Sequence, residues 1–245
     1  CRVCYTCVRE CPVKAIKIIN GQAEVLSERC IGCGNCVNVC SQGAKAFVKT
    51  TEEVRFLLEQ SSKVIACVAP SFPAEFTELD SSEQLVGMIK ELGFDKIVEV
   101  SFGADMVADA YKDLITSKKM NGMISSDCPA IVYYVEHYHP GLVSHLAPIV
   151  SPMVASKRIM HKLHGSDISI VFIGPCVAKK SESKEIDEAI TFMELRELFK
   201  ANNITKDSVK PIPFDPPHAG KGSVFPVSRG LLHTIGQNDD IAESD

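Results

Sequence analysis

No run in this 245-residue sequence is apolar enough to cross a bilayer. The longest, from Ile168 to Ile173 and on to Cys176 through a Gly-Pro break, falls well short of the roughly 20 residues a spanning helix needs. No stretch has the pattern of a signal peptide, so no membrane partner is expected. Positive charge is not in excess either: 26 Lys and Arg stand against 31 Asp and Glu, a net charge of −5, and nucleic acid is not an expected partner. Beyond residue 40 cysteine is scarce, with only Cys67, Cys128 and Cys176, which does not suit a disulfide-stapled secreted scaffold. What remains is ordinary globular composition, 45% hydrophobic and 23% charged, long enough for one large or two modest domains.

The other eight cysteines lie between Cys1 and Cys40 in two copies of one spacing: Cys1-x2-Cys4-x2-Cys7-x3-Cys11-Pro12 and Cys30-x2-Cys33-x2-Cys36-x3-Cys40. Zinc sites usually pair cysteines across a longer loop, so this pattern does not suit zinc. It resembles the bacterial two-cluster ferredoxin, in which three close thiolates hold one [4Fe–4S] cube and the fourth crosses to the other. That resemblance assigns Cys1, Cys4, Cys7 and Cys40 to one cube and Cys11, Cys30, Cys33 and Cys36 to the second. Between the runs, residues 15–19 and 22–25 predict two short strands around the turn pair Asn20-Gly21. Gly32, Gly34 and Asn35 leave backbone N–H groups free to approach cluster sulfurs. Ser41 stands where a second proline would follow Cys40, and because the chain begins on a ligand, residue 1 is expected to be an internal point of a longer protein.

Residues 45–62 predict a connector with a short helix, Val54, Leu57 and Leu58 forming its apolar face. From residue 63 strands and helices alternate. Strands are expected at 63–69, 96–100, 122–125 and 167–173. Helices are expected from Asp80-Ser81-Ser82 to Gly93, and over the face Met106, Val107, Ala110, Tyr111 and Leu114 to a basic end at Lys118-Lys119. Ser151-Pro152 predicts another helix start, and Thr191-x2-Glu194 a capping box. The fold class expected is an α+β ferredoxin-like two-cluster domain (1–44) followed, after the connector, by an α/β body (63–245) with parallel sheets flanked by helices. In such sheets ligands gather at the carboxyl ends of strands. Cys128 and Cys176 are placed there, each closing a strand, whereas Cys67 lies mid-strand as a buried structural thiol.

Ser125-Ser126-Asp127-Cys128-Pro129 and Gly174-Pro175-Cys176-x2-Lys179, together with Ser101-Phe102-Gly103-Ala104-Asp105 and the doubled cysteine run, resemble the [FeFe]-hydrogenase family along essentially the whole chain. Its catalytic H-cluster joins a [4Fe–4S] cube to a two-iron subcluster. The resemblance implies that Cys128 and Cys176 are cube ligands and that Lys179 contacts the two-iron unit, although Lys179-Lys180 also reads as a solvated basic pair. It further implies an electron donor or acceptor protein such as ferredoxin, a C-terminal or separate signalling domain, and a reducing, cytoplasmic setting.

The departures are specific. Asp127 stands where the family has a proton-passing cysteine, and otherwise reads as a helix cap. Ala147 stands where its route has a serine. Tyr111 and Leu114 fall where two relay glutamates belong, with Asp113 close by. Gly174 replaces a methionine and is expected to leave space beside the two-iron unit. The family's third motif, which supplies the last two cube ligands, is expected after residues 220–236 and has no counterpart in this sequence. The expectation is therefore an iron–sulfur electron-transfer protein acting as a redox or hydrogen sensor with an altered site. A catalytic hydrogenase and a cluster-only electron-transfer or assembly protein are the alternatives. Two [4Fe–4S] clusters are expected here, with a third and the two-iron subcluster in the full-length protein.

Overall fold

Isoleucines at 16, 18 and 19, followed by the turn pair and Ala23 and Val25, fold as expected into strands β1 (Ile16–Ile19) and β2 (Gln22–Val25). They pair antiparallel with Ile19 opposite Gln22. Asn20 and Gly21 both take positive φ (49° and 73°), as a tight hairpin turn demands. The computed structural model describes residues 1–61, 63–117, 122–182 and 185–236. Short helices α1 (Thr6–Glu10) and α2 (Asn35–Asn38) flank the hairpin. Helix α3 (Thr51–Gln60) fills the connector with Val54 buried.

The body is built on four strands: β3 (Val64–Val68), β4 (Lys96–Glu99), β5 (Ser169–Gly174) and β6 (Glu188–Thr191). They are all parallel, in the order β4-β3-β5-β6. Every residue of β3 is buried, which requires cover on both faces. The cover comes from α4 (Phe72–Glu75), α5 (Ser82–Glu91), α6 (Val100–Thr116), α8 (Pro152–His164) and α9 (Phe192–Ala201), whose residues join the core around the sheet, while α7 (Pro129–Tyr138) packs with the cysteine runs and α10 (Gly230–Ile235) against α6. The chain leaves β3 toward β4 and returns on the other side to β5, so the crevice at the carboxyl ends of β3 and β5 is the switch point where ligands bind in such sheets.

Three expectations need correction. Residues 122–125 form no strand; Ile124 makes a single parallel bridge to Leu146. Met123 and Ile124 are the only apolar residues there before the polar Ser125-Ser126-Asp127, too few to enter a ladder. Cys128 accordingly closes no strand and is the residue capping α7. On α6 the buried face runs through Val100, Ala104, Val107, Ala108 and Tyr111, while Met106 is exposed on the other side. The basic end expected at Lys118-Lys119 lies outside the described residues, as do Ser62 and residues 237–245.

Candidate iron–sulfur site

The doubled cysteine run is doubled in three dimensions. Residues twenty-nine apart in sequence, as Cys1 is from Cys30 and Cys11 from Cys40, share backbone conformation. Val3 and Gly32, Tyr5 and Gly34, and Lys14 and Gly43 all have positive φ. The same offset relates the hydrogen bonds to sulfur. The N–H of Val3 donates to Cys1 Sγ (3.4 Å) and that of Gly32 to Cys30 Sγ (3.4 Å). Ala15 N–H donates to Cys11 Sγ (3.2 Å) and Ala44 N–H to Cys40 Sγ (3.3 Å). Such donors stabilise a thiolate and tune a bound cluster's potential.

Cys1, Cys4, Cys7 and Cys40 line one cavity of about 80 Å³. Cys4 and Cys40 thiols are held below their ordinary range, Cys4 by the Thr6 hydroxyl and N–H, Cys40 by the Ala44 N–H. The other four lie around the apolar cluster of Val13, Ala15, Ile16 and Ile31, where Cys11 is buried together with Cys7 of the first set. Burial, then the neighbouring Cys30, Cys33 and Cys11, push the Cys36 thiol up. Crowded thiolates repel until a cationic centre neutralises them. Among the described residues no three Cys, His, Asp or Glu could hold a single metal ion. A cube asks instead for one thiolate on each of its irons, and two sets of four fit that demand.

The second set faces the body. Cys176 and Ala178 join its apolar cluster, with Tyr133, Tyr134 and Tyr138 of α7. A Cβ on Gly34 would come within 2.3 Å of Val177, so only glycine allows this approach. Tyr138 Oη donates to the Arg29 carbonyl (2.8 Å) and Tyr133 Oη to that of Ser181 (2.6 Å).

At the switch point a cavity of about 180 Å³ is lined by Ala69 and Ser71 after β3, Cys176 after β5, Asp127, Lys179, Phe172 and Phe225. Lys179 joins the two body motifs: its Nζ donates to the Asp127 carbonyl (2.8 Å) and pairs with Glu182, both side chains largely buried. Asp127 Oδ2 accepts from Ser125, and Oδ1 is buried without a partner. Burial pushes its carboxyl above the usual range, against the Ser125 hydrogen bond and the Lys179 charge. The helix-cap reading of Asp127 is corrected, since the cap is Cys128. Cys128 is exposed and Cys176 half-buried. Cys176 lines the cavity and Cys128 is not among its lining residues.

The solvated-pair reading of Lys179 and Lys180 is corrected as well. Lys180 Nζ binds Thr50 Oγ1 (2.7 Å), the Ala189 carbonyl (2.9 Å) and the fully buried Glu194 (2.9 Å). Gly174 leaves no space, because the Phe172 ring stands 2.6 Å from where its Cβ would be. Tyr111 is fully buried, its hydroxyl 3.4 and 3.3 Å from the Ser125 and Ser126 hydroxyls. Behind it lie Val107, Ala147 and Ala155, with Leu114, Met123 and Ile149. Asp113 is exposed on α6 and does not replace a relay glutamate. Cys67 is buried as expected, its thiol pushed up to about 12 by burial. Sequence reasoning missed Glu182 and the Lys180–Glu194 pair. The only signal for Glu182 was its place three residues after Lys179.

Comparison with known proteins matches the same segments. The family described as iron only hydrogenase large subunit, C-terminal domain, matches residues 62–243, and the 4Fe-4S dicluster domain matches residues 1–41. Iron hydrogenase 1 of Clostridium pasteurianum is 30% identical over 213 residues, 74% of this chain and 37% of that protein. The NADP-reducing hydrogenase subunit HndD of Solidesulfovibrio fructosivorans is 26% identical, covering 83% and 41%. A cytosolic Fe-S cluster assembly factor NAR1 homolog of Schizosaccharomyces japonicus is 24% identical, covering 77% and 46%. Apo [FeFe]-hydrogenase HydA1 from Chlamydomonas reinhardtii superposes with a TM-score of 0.60 at 23% identity, over 71% of this chain and 52% of that one, a likeness that shows the fold. The chain thus spans half or less of the length of these curated relatives. Among its described residues no helix is long and apolar enough to cross a membrane. With family matches over most of its length, the chain belongs to the iron-only hydrogenase large-subunit family and is an iron–sulfur protein of that hydrogenase-like kind.

Proposed function

We propose that the chain is an electron-transfer protein holding two [4Fe–4S] cubes, on Cys1, Cys4, Cys7 and Cys40 and on Cys11, Cys30, Cys33 and Cys36. Residues 1–44 form the ferredoxin-like two-cluster domain, 45–62 the connector and 63–245 the body. The outer set opens to solvent and the inner set packs beside Cys176, which suits electron passage from a carrier such as ferredoxin toward the body. There Cys128 and Cys176 are ligands for a third cube in the full-length protein, and Lys179, fixed by Glu182 and the Asp127 carbonyl, faces the cavity that would take a two-iron subcluster. When bound, such a group supplies hydrogen chemistry.

The site senses a redox or hydrogen state and signals through a further domain or partner, without rapid turnover. One observation supports this: beyond the Tyr111 hydroxyl the way from Asp127 is closed by apolar packing of Val107, Ala147, Leu114 and Ile149. The hydroxyls next to Asp127, those of Ser125, Tyr111 and Ser126, end on the Ile149 carbonyl, and a carboxyl whose hydroxyl chain ends there, with no acid beyond it, does not sustain fast proton delivery. The test is Asp127→Cys with Ala147→Ser in the cluster-loaded protein. Restoring the two relay types should raise hydrogen turnover by about 10²-fold, the lower range for a positioned proton donor; unchanged turnover overturns the proton-route explanation. A second reading, cluster assembly, is favoured by the relatives named as cytosolic Fe-S cluster assembly factors. Transfer of a labelled cluster to an apo-acceptor at a rate matching loss from the chain would favour it. A catalytic hydrogenase using Asp127 as substitute relay is the weakest reading, given the same closed route.

A further inference from the structure

We infer that Tyr134 of α7 and His139, the residue capping the carboxyl end of that helix, form a tyrosyl-radical pair that carries oxidising equivalents from the inner cysteine set to the surface. The inference rests on the proposal that Cys11, Cys30, Cys33 and Cys36 hold a cube. It adds a protective role that electron passage toward the body does not require.

Contacts lead outward from that set in a line. Tyr138 Oη donates to the carbonyl of Arg29 (2.8 Å), the residue before Cys30, and lies 3.3 Å from the Val13 carbonyl. Its ring stacks on that of Tyr134, centroids 5.6 Å apart and planes 25° from parallel, an ordinary aromatic contact. Tyr134 Oη meets His139 Nε2 at 3.0 Å, and the two rings stand edge to face at 5.0 Å. Tyr134 and Tyr138 are half-buried in the cluster that contains Cys11, Cys30, Cys33 and Cys36, whereas His139 is exposed. Electron transfer weakens steeply with distance, so short steps between stacked rings outrun one long step to solvent.

The imidazole decides which ring keeps the radical. A phenol that gives up an electron becomes a strong acid, and its oxidation is much easier where a base takes the proton in the same step. With its own proton on Nδ1, His139 accepts that of Tyr134 at Nε2. Tyr133 and Tyr138 donate instead to the Ser181 and Arg29 carbonyls, which take up no proton, and the Tyr111 hydroxyl meets serine hydroxyls. Among the described residues Tyr134 alone presents its hydroxyl to an imidazole.

Low-potential cubes do not oxidise tyrosine, so the pair takes no part in ordinary electron transfer. A strong one-electron oxidant engages it, namely the hydroxyl radical formed when hydrogen peroxide takes an electron from reduced iron and releases hydroxide. The hydroxyl radical gains one electron and becomes hydroxide. That electron comes from Tyr138, which is refilled from Tyr134, while the Tyr134 phenol proton moves to His139 and a neutral phenoxyl radical remains. A small one-electron reductant such as ascorbate refills Tyr134 from solvent, and His139 returns the proton.

The test uses the full chain, loaded with iron and sulfide without oxygen, reduced, freed of reductant and mixed with an equivalent of hydrogen peroxide. EPR follows the radical and visible absorbance follows the cubes. The unaltered chain should give a phenoxyl signal. Tyr134→Phe should lose it and bleach faster, with the same iron content before peroxide, whereas Tyr133→Phe should keep it. His139→Gln retains a hydrogen-bonding side chain without a base and should slow the rise of the signal by about 10²-fold, the lower range for a positioned base. Cys11→Ser with Cys33→Ser should abolish the signal while the outer set keeps its iron. An iron-loaded chain without a phenoxyl radical, or an equal signal in Tyr134→Phe, overturns the relay alone. A signal that survives in the cysteine variant does not arise at the inner set and overturns it too. A chain that takes up no iron overturns the underlying cluster assignment and the relay with it.

Discussion

Tyr5 holds φ at +60°, and its counterpart in the second cysteine run is Gly34 at +76°. A side chain in the left-handed region costs roughly 1–2 kcal/mol, which glycine avoids. Tyr5→Gly should therefore stabilise the cluster-free chain by about 0.5–1 kcal/mol after the added chain entropy of glycine, measured by urea unfolding; no gain would mean the left-handed turn is not held without iron. Farther into the body, Glu194 is fully buried. Burial pushes its carboxyl up, but the Thr191 N–H, Lys180 and the Thr50 N–H outweigh it and hold the net value below the usual range. Its stabilisation is thus present above the ordinary Glu value and lost as pH falls through the lowered one. In the cluster-free chain Glu194→Gln should flatten the acid limb of the stability curve, and Lys180→Met should cost about 3 kcal/mol at neutral pH by leaving a buried charge unpaired. An acid limb that Glu194→Gln leaves unchanged would contradict this. The repeat of the two cysteine runs was legible because its spacing is local. Lys180 and Glu194 were not, because their meeting depends on which elements the fold brings together.

At the scale of elements, the seam between the cysteine runs and the body depends on two small features, the missing side chain of Gly34 against Val177 and the Tyr138 hydroxyl on the Arg29 carbonyl. Gly34→Ala combines a strained φ with a collision, whereas Tyr138→Phe removes a hydrogen bond and leaves the ring in place. Gly34→Ala should weaken amide-exchange protection across α2 and the Val177–Ser181 turn together, with Tyr138→Phe doing so more mildly. Protection lost in α2 alone would show that the seam does not couple them. Most element types could be read from apolar periodicity and caps, including the Thr191/Glu194 capping box. The strand wrongly expected at 122–125 shows the limit of that signal. Two apolar residues in a row fit a strand end or a loop equally, and here the polar Ser125-Ser126-Asp127 turn, engaged with Tyr111 and Lys179, fixes the segment as a loop.

For the whole molecule, sheet order explains why distant motifs share one cavity. Ala69 and Cys176 follow strands separated by about a hundred residues, and parallel β3–β5 pairing sets their ends side by side. That convergence was legible as a class of fold, whereas the Phe172 ring filling the place beside Gly174 was not, since a glycine in sequence does not reveal which neighbour occupies its space. The central claim is the division of eight cysteines into two cube-binding sets. It is tested most directly by counting iron and acid-labile sulfide, with an EPR spectrum, on the chain reconstituted without oxygen. The account predicts about eight irons and eight sulfides per chain, falling to about four in Cys11→Ser with Cys33→Ser, which removes the inner set and spares the outer one. Iron far below eight in the unaltered chain, or eight irons retained in that variant, would contradict it.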